Sequence, residues 1–162
     1  MNKGTLHIGT KLLLATAMTL GDYNQYRGWN IPADQNTEDK GFLVEYIDGG
    51  KSNHPDHKGY ISWSPEDVFH NAYKASGEMS FGMAVEAAKR GYKVARIGWN
   101  GSGMFAYIVH ERTEETKVKD LDTFGAYMYY REHWALFTAQ KDVATWAPSG
   151  SDSLADDWVI VE

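Results

Sequence analysis

Strand-like stretches in this 162-residue chain come in short pairs separated by polar, glycine-bearing turns, and that pattern limits the fold more than any other feature. "FLVEYID" alternates, with Phe42, Val44 and Tyr46 on one side and Leu43, Glu45 and Ile47 on the other. "YISWS" follows the long turn "GGKSNHPDHKG" as the returning strand of a hairpin. Further along, "YKVARIGW" and "MFAYIVHE" flank Asn100-Gly101-Ser102-Gly103. Asn-Gly is the commonest dipeptide of two-residue hairpin turns. Hairpins pair neighbouring strands antiparallel, so the expected class is α+β: small antiparallel sheets, each with a packed helix.

Helix signals punctuate these pairs. A short strand over Lys11–Ala17 precedes Thr19, which caps a short helix beginning near Leu20. "RGWNIPADQNTEDKG" reads as a polar loop. Ser64 and Pro65 read as an N-cap and first helical residue, and the helix that follows places Val68, Phe69, Ala72 and Tyr73 on one face. Ser80 caps another helix, with Phe81, Ala84, Val85 and Ala88 recurring at helical spacing and Gly91 at its C-terminal end. A change of texture at Ser76-Gly77 divides the chain into modules 1–76 and 77–162. "ERTEETKVKDLD" is highly charged and reads as a solvated loop or an irregular insertion. Trp134–Thr138 is the next strand, "QKD" a turn, "VATWAP" a strand, "SGSDSLADDW" a helical turn and "WVIV" a last strand. No internal repeat is present.

Composition excludes several classes. Hydrophobic residues make up 43% and aromatics 14%, enough to build a packed core. The net charge of -6 disfavours a grip on duplex DNA through its phosphates. No cysteine is present, which removes disulfides, thiolate metal sites and cysteine nucleophiles together. The apolar run Leu12–Ala15 is too short to span a bilayer, and no signal-peptide pattern follows Lys3. The expectation is a soluble, cytoplasmic protein with no membrane partner.

Three groups of residues can carry chemistry. His54 and His57 stand three apart with Asp56 between them, a spacing open to a metal but set in a polar turn where histidine is simply solvated. Asp156 and Asp157, with Asp152 upstream, are paired carboxylates open to acid–base work; the plainer reading has Asp152 capping a turn. Ser149, Ser151 and Ser153 lack a nucleophile elbow, and no spacing selects His110 or His133 as a base. The third group is Trp99-Asn100-Gly101, Trp146 with Ser149 and Ser151, and Asp157-Trp158. Indole faces stack on flat heterocycles, asparagine pairs with a base or ribose, and glycine lets backbone amides approach phosphate. The same tryptophans also fit a hydrophobic core, so pocket and core both stand open for them.

"MSFGMAVEAAKRGYKVARIGWNGSGMF" followed by "FTAQKDVATWAPSGSDSLADDWVIV" resembles the second Thoeris anti-defence family of phages and prophages, over about residues 78–162. The resemblance rests on Ser80-Phe81-Gly82, Gly98-Trp99-Asn100-Gly101, Trp146 with Pro148-Ser149, and Leu154-Ala155-x-Asp157-Trp158. It implies a sponge in the cytoplasm of the infected host that binds the cyclic ADP-ribose isomer made by TIR-domain immune enzymes and does not cleave it. In some members cyclic di- or trinucleotide signals of CBASS are also bound. It further implies a homo-oligomer with ligand pockets between protomers, no catalytic residue, no metal and no cofactor. Carried over by position, Trp99, Asn100 and Gly101 line the pocket, with Trp146, Ser149, Ser151, Asp157 and Trp158 as further contacts. Residues 1–76 precede the matched segment and carry no implied activity. The competing classes are an enzyme that degrades the signal through Asp156, Asp157, His110 or His133, a phage structural or protein-interaction module, and a carbohydrate-binding module.

Overall fold

In the computed structural model, which describes residues 5–6, 9–117 and 121–162 with the side chains of Leu121 and Phe124 excepted, the chain divides into two units, one ending at Lys74 and one beginning at Ala75. The fold class is α+β, with small antiparallel sheets and short helices throughout.

The first unit runs β1 (Leu13–Ala17), α1 (Leu20–Arg27), β2 (Gly41–Tyr46), β3 (Tyr60–Pro65) and α2 (Glu66–Ala72). Its sheet is antiparallel in the order β1-β2-β3, with Leu43 opposite both Thr16 and Trp63. Thr19 caps α1 as its sequence predicts, accepting a 3.1 Å hydrogen bond from Asp22 N. The alternation in β2 marks two covered faces rather than an inner and an outer one. Leu43, Ile61 and Trp63 pack with Tyr23 of α1, while Phe42 on the opposite face stacks on Phe69 of α2 at 4.2 Å. Two expectations are corrected here. Ser64 is not the cap of α2: it is paired with Phe42 inside β3, and Pro65 occupies the cap position without a side-chain bond. Of the expected apolar face of α2, only Phe69 is buried, and Val68 is exposed, because a seven-residue helix of about two turns sets a single large ring on the sheet.

The second unit runs α3 (Phe81–Lys89), β4 (Lys93–Arg96), β5 (Phe105–Val109), β6 (Arg112–Glu115), α4 (Leu121–Phe124), β7 (Tyr127–Tyr130), β8 (His133–Phe137), β9 (Val143–Thr145), α5 (Gly150–Ser153) and β10 (Trp158–Val161). Its antiparallel sheet has the order β10-β4-β5-β8-β9. The stretch Glu111–Asp122 is not simply a solvated loop. Arg112–Glu115 pairs with Tyr127–Tyr130 and continues the β5–β8 hairpin as a two-stranded ribbon, with the Arg112 guanidinium over the Tyr130 ring. Residues 118–120 of that stretch lie outside the described residues.

Alanines set the helix–sheet distance. Ala84, Ala87 and Ala88 of α3 are buried against Val94, Ala106 and Trp158, and such small side chains let the helix sit close to the strands. Ser80 caps α3 by accepting from Met83 N, and Gly91 follows it at a φ of 90° that favours glycine. Trp158 has no exposed surface and is tied on both backbone sides to Met79. Replacing Trp158 by alanine is expected to cost about 3–5 kcal/mol of unfolding free energy. Urea titration checks this, and a loss under about 1 kcal/mol would mean that the core does not close on this residue.

Candidate functional site

Arg96 ends β4 on the helix-covered face of the sheet, directly opposite Trp158 in β10. A guanidinium placed there must be paired, since burial without a partner is costly. Two carboxylates meet it. Asp157 Oδ1 accepts from Arg96 Nε at 2.7 Å, and Asp152 Oδ1 accepts from Arg96 Nη1 at 3.0 Å. Both ion pairs raise the arginine's pKa further above its ordinary value.

Asp152 is buried and joins more elements than any other side chain in the site. Its Oδ1 also accepts from Trp99 Nε1 at 3.1 Å. Its Oδ2 accepts from the Ser149 backbone N–H at 3.0 Å and the Ser149 hydroxyl at 2.7 Å. Ser149 Oγ in turn accepts from Asp152 N, which completes a capping box at α5. The Asp152 backbone carbonyl accepts from Trp158 Nε1 at 3.1 Å. Burial alone would raise the Asp152 carboxyl, but hydrogen bonds from Ser149, Trp99 and Arg96 outweigh it and bring the pKa down from 3.8 to about 2. Asp157 is likewise lowered, chiefly by Arg96 and with help from the Gly98 N–H, which reaches its Oδ2 at 2.9 Å. A Cβ on Gly98 would stand 3.0 Å from that oxygen, a tight contact that glycine avoids.

These bonds position the loop between β4 and β5. Asn100-Gly101 is not the two-residue hairpin turn that its sequence suggests. The connection spans residues 97–104, and its positive φ falls at Gly103 instead. A Cβ on Gly101 would lie 2.0 Å from Met104 Sδ, so a side chain there would require the flexible Met104 side chain to move. Ion pairing at Arg96 and the Trp99–Asp152 bond bend the chain away from the tight-turn path.

The structure brings the three tryptophans of the expected site together and gives them different places. Trp99 meets Trp158 edge-to-face at 5.5 Å and Trp146 at 5.8 Å, and Trp146 meets Trp158 at 6.2 Å. Trp134 extends the cluster beyond Trp146. Trp158 is wholly core and lines no surface; it is the floor under the other two. Asp157 is engaged by Arg96 and Gly98 and clamps the loop, with its side chain still about one-third exposed. Trp99 and Trp146 are half-buried, whereas Asn100, Ser149 and Ser151 are exposed. Ser151 Oγ sits 2.9 Å from Ser149 Oγ, and among the described residues no side-chain hydrogen bond engages Asn100. Asp156 is exposed. His110 lies beside Glu132, and His133 bonds the Arg131 carbonyl, so the candidate bases are engaged with neighbours other than the aspartates. A cavity of about 360 Å³ in this unit lies elsewhere, lined by Tyr92, Lys93, Phe105, Tyr107, His110 and Phe137 among others. Sequence reasoning missed Arg96. Its one signal is a lone basic residue closing an apolar strand immediately before Ile97-Gly98-Trp99.

The lowered Asp152 pKa predicts acid sensitivity. Below about pH 4 the unfolded carboxyl takes up a proton that the folded one still excludes. This contribution of about 2 kcal/mol is therefore full above pH 4 and lost as the pH falls through about 2. Asp152→Asn should lower stability at pH 7 and flatten the acid limb of the stability–pH profile, measured by urea unfolding from pH 7 to 2. An unchanged acid limb would remove Asp152 from this role.

A family model for the Thoeris anti-defense 2-like domain matches residues 79–161. The protein Thoeris anti-defense 2 of Bacillus phage SP01 is 36% identical over 88 residues, which cover 52% of this chain and 96% of that relative. Arg96, Trp99, Trp146, Asp152 and Trp158 all fall inside the segment matched by the family model. Among the described residues no helix is long and apolar enough to cross a membrane. With its second unit matched almost from end to end, the chain belongs to the Thoeris anti-defense 2-like family.

Proposed function

We propose that the chain counters bacterial immunity by sequestering a cyclic nucleotide signal, the cyclic ADP-ribose isomer of Thoeris first and cyclic di- or trinucleotides of CBASS second. The observation that carries this reading is the Trp99–Trp146 pair, half-buried and braced by Asp152, with Asn100, Ser149 and Ser151 exposed around it. Indole offers a stacking face to a base, and the amide and hydroxyls offer donors to ribose and phosphate. Bracing in advance lowers the ordering cost of binding, which favours tight capture and slow release. An open surface of this kind encloses a ligand when a second copy of the chain closes it, so the working form is a homo-oligomer with shared pockets.

Binding without cleavage is part of the proposal. Asp152 and Asp157 are held ionised and hydrogen-bonded to Arg96, which makes them poor general acids and leaves little freedom to act as bases. The cyclic ADP-ribose isomer, mixed with a slight excess of protein and then recovered by heat denaturation, should return intact. Progressive loss at substoichiometric protein would instead establish an enzyme. Trp99→Ala should weaken binding about 5- to 100-fold through lost stacking. Asn100→Ala should weaken it about tenfold with fold and assembly retained, as a lost ligand hydrogen bond predicts. Isothermal titration and native mass spectrometry read both. Affinity unaltered in both variants would reject this surface as the site, and altered assembly with no ligand bound would favour a structural module.

A further inference from the structure

The histidine pair of the first unit occupies a built arrangement rather than a loose turn. Residues 47–59 join β2 to β3, longer than a simple hairpin needs, and their side chains pin the loop in place. Ser52 Oγ donates to the carbonyls of His54 and His57, at 2.7 and 2.8 Å. The Asn53 amide exchanges two hydrogen bonds with the Ile61 backbone, at 2.8 and 2.9 Å. Gly59 allows the last residue of the loop to pass the Tyr46 carbonyl, which a Cβ would strike at 2.0 Å.

What this scaffold holds is a line of three polar groups. Glu45 Oε2 stands 2.7 Å from His57 Nδ1, and Tyr26 Oη of α1 stands 3.0 Å from His57 Nε2. The other carboxylate oxygen, Oε1, accepts from Lys58 N at 3.0 Å and Gly59 N at 2.9 Å. Those bonds and His57 hold Glu45 below the usual carboxylate range, so it is an acceptor only. In the neutral imidazole, Nδ1 facing that acceptor carries the ring proton, and Nε2 is free to accept from the Tyr26 hydroxyl. His54 stacks on the Tyr26 ring at 4.6 Å and fixes its plane. The groups facing His57 are thus Tyr26 from α1, Glu45 from β2 and His54 from its own loop. His57 and Glu45 side chains are about one-sixth exposed, whereas Tyr26 is 38% exposed. Among the described residues no group of three or more His, Cys, Asp or Glu side chains is placed to hold a metal ion.

We propose that Tyr26, His57 and Glu45 form a nucleophile–base–carboxylate site in which the Tyr26 hydroxyl takes the acyl group of an activated, uncharged carboxylic ester. The connectivity is that of hydrolase triads, with a phenol in the place of the serine hydroxyl. Tyr26 Oη bonds to the ester carbonyl carbon as its proton passes to His57 Nε2. The ester C–O bond then breaks, and the departing oxygen takes the proton back from His57. The products are an O-acyl Tyr26, a free alcohol and a neutral His57, with Glu45 ionised throughout. An uncharged ester is assigned because the ionised Glu45 lies one imidazole away from the attacking oxygen and no cationic side chain is hydrogen-bonded to the Tyr26 hydroxyl among the described residues.

The full chain, incubated with p-nitrophenyl acetate, tests this by nitrophenolate release and by peptide mass spectrometry for the site of acetylation. Tyr127, which is 70% exposed, is the internal reference for an unassisted phenol. Tyr26 should acetylate about 100-fold faster than Tyr127, the lower end of what a positioned general base supplies. His57→Gln, with its circular dichroism spectrum retained, should bring Tyr26 down to the Tyr127 rate, and Tyr26→Phe should leave that peptide unlabelled. A Tyr26 rate equal to that of Tyr127 in the unsubstituted chain overturns the proposal without any variant. Acetyl transfer to His57 or Lys58 with Tyr26 left bare overturns it as well.

Discussion

The pairing of Arg96 with Asp152 and Asp157 is the constraint on which the second unit depends. A guanidinium on the helix side of the sheet would be intolerable alone. Two carboxylates neutralise it, and each does so from a different place in the chain: Asp152 from α5 and Asp157 from the residue before β10. The consequence reaches well beyond charge. Once Asp152 is held, its remaining lone pairs fix the indole of Trp99 and the cap of α5, and its carbonyl fixes the indole of Trp158. Asp152 thus ties Trp99, Trp158, one short helix and the β4–β5 loop together, with Trp146 packed edge-on against both indoles.

The first unit uses the same device with different chemistry. Glu45 accepts from His57, Lys58 and Gly59, and so ties the 47–59 connection back onto β2. In both units a carboxylate near the helix-covered side of a sheet organises a long connection by accepting several hydrogen bonds at once. Charge-assisted bonds of this kind are stronger than neutral ones and directional enough to hold an aromatic ring in place. For both proposed roles, a heterocycle or an electrophile would meet a surface that is already arranged. Pre-arrangement is what a sequestering protein requires, because its affinity is not diminished by ordering the site at the moment of capture.

Much of the fold was legible along the chain. Thr19 and Ser80 mark helix starts because a side-chain oxygen three residues ahead of an amide is a purely local matter. Hairpin partners β2–β3 and β4–β5 are likewise neighbours in sequence. Ser64 shows where local reading fails. As a cap before Pro65 it is persuasive, yet its backbone is claimed by the ladder opposite Phe42, and sheet pairing prevails over a cap of about 1 kcal/mol. Asn100-Gly101 fails for a related reason. Arg96, Gly98 and Trp99 are held by residues more than fifty positions away, so the short turn that this dipeptide favours is never made.

By itself the sequence determined the α+β class, the helix caps at Thr19 and Ser80, and the family to which the second unit belongs, because these rest on nearest neighbours and on a collinear pattern of residues; it pointed to Asp152 as the cap of α5, whereas Asp152 stands third in that helix and Ser149 caps it. The tertiary structure alone decided which tryptophan is core and which is surface. Trp99, Trp146 and Trp158 are alike as side chains, and each fits a core as readily as a surface. Only the sheet order β10-β4-β5-β8-β9 sets Trp158 beneath the other two. It also alone revealed Arg96 as the anchor and Glu45–His57–Tyr26 as a line of hydrogen bonds, since burial and long-range pairing are properties of the folded chain.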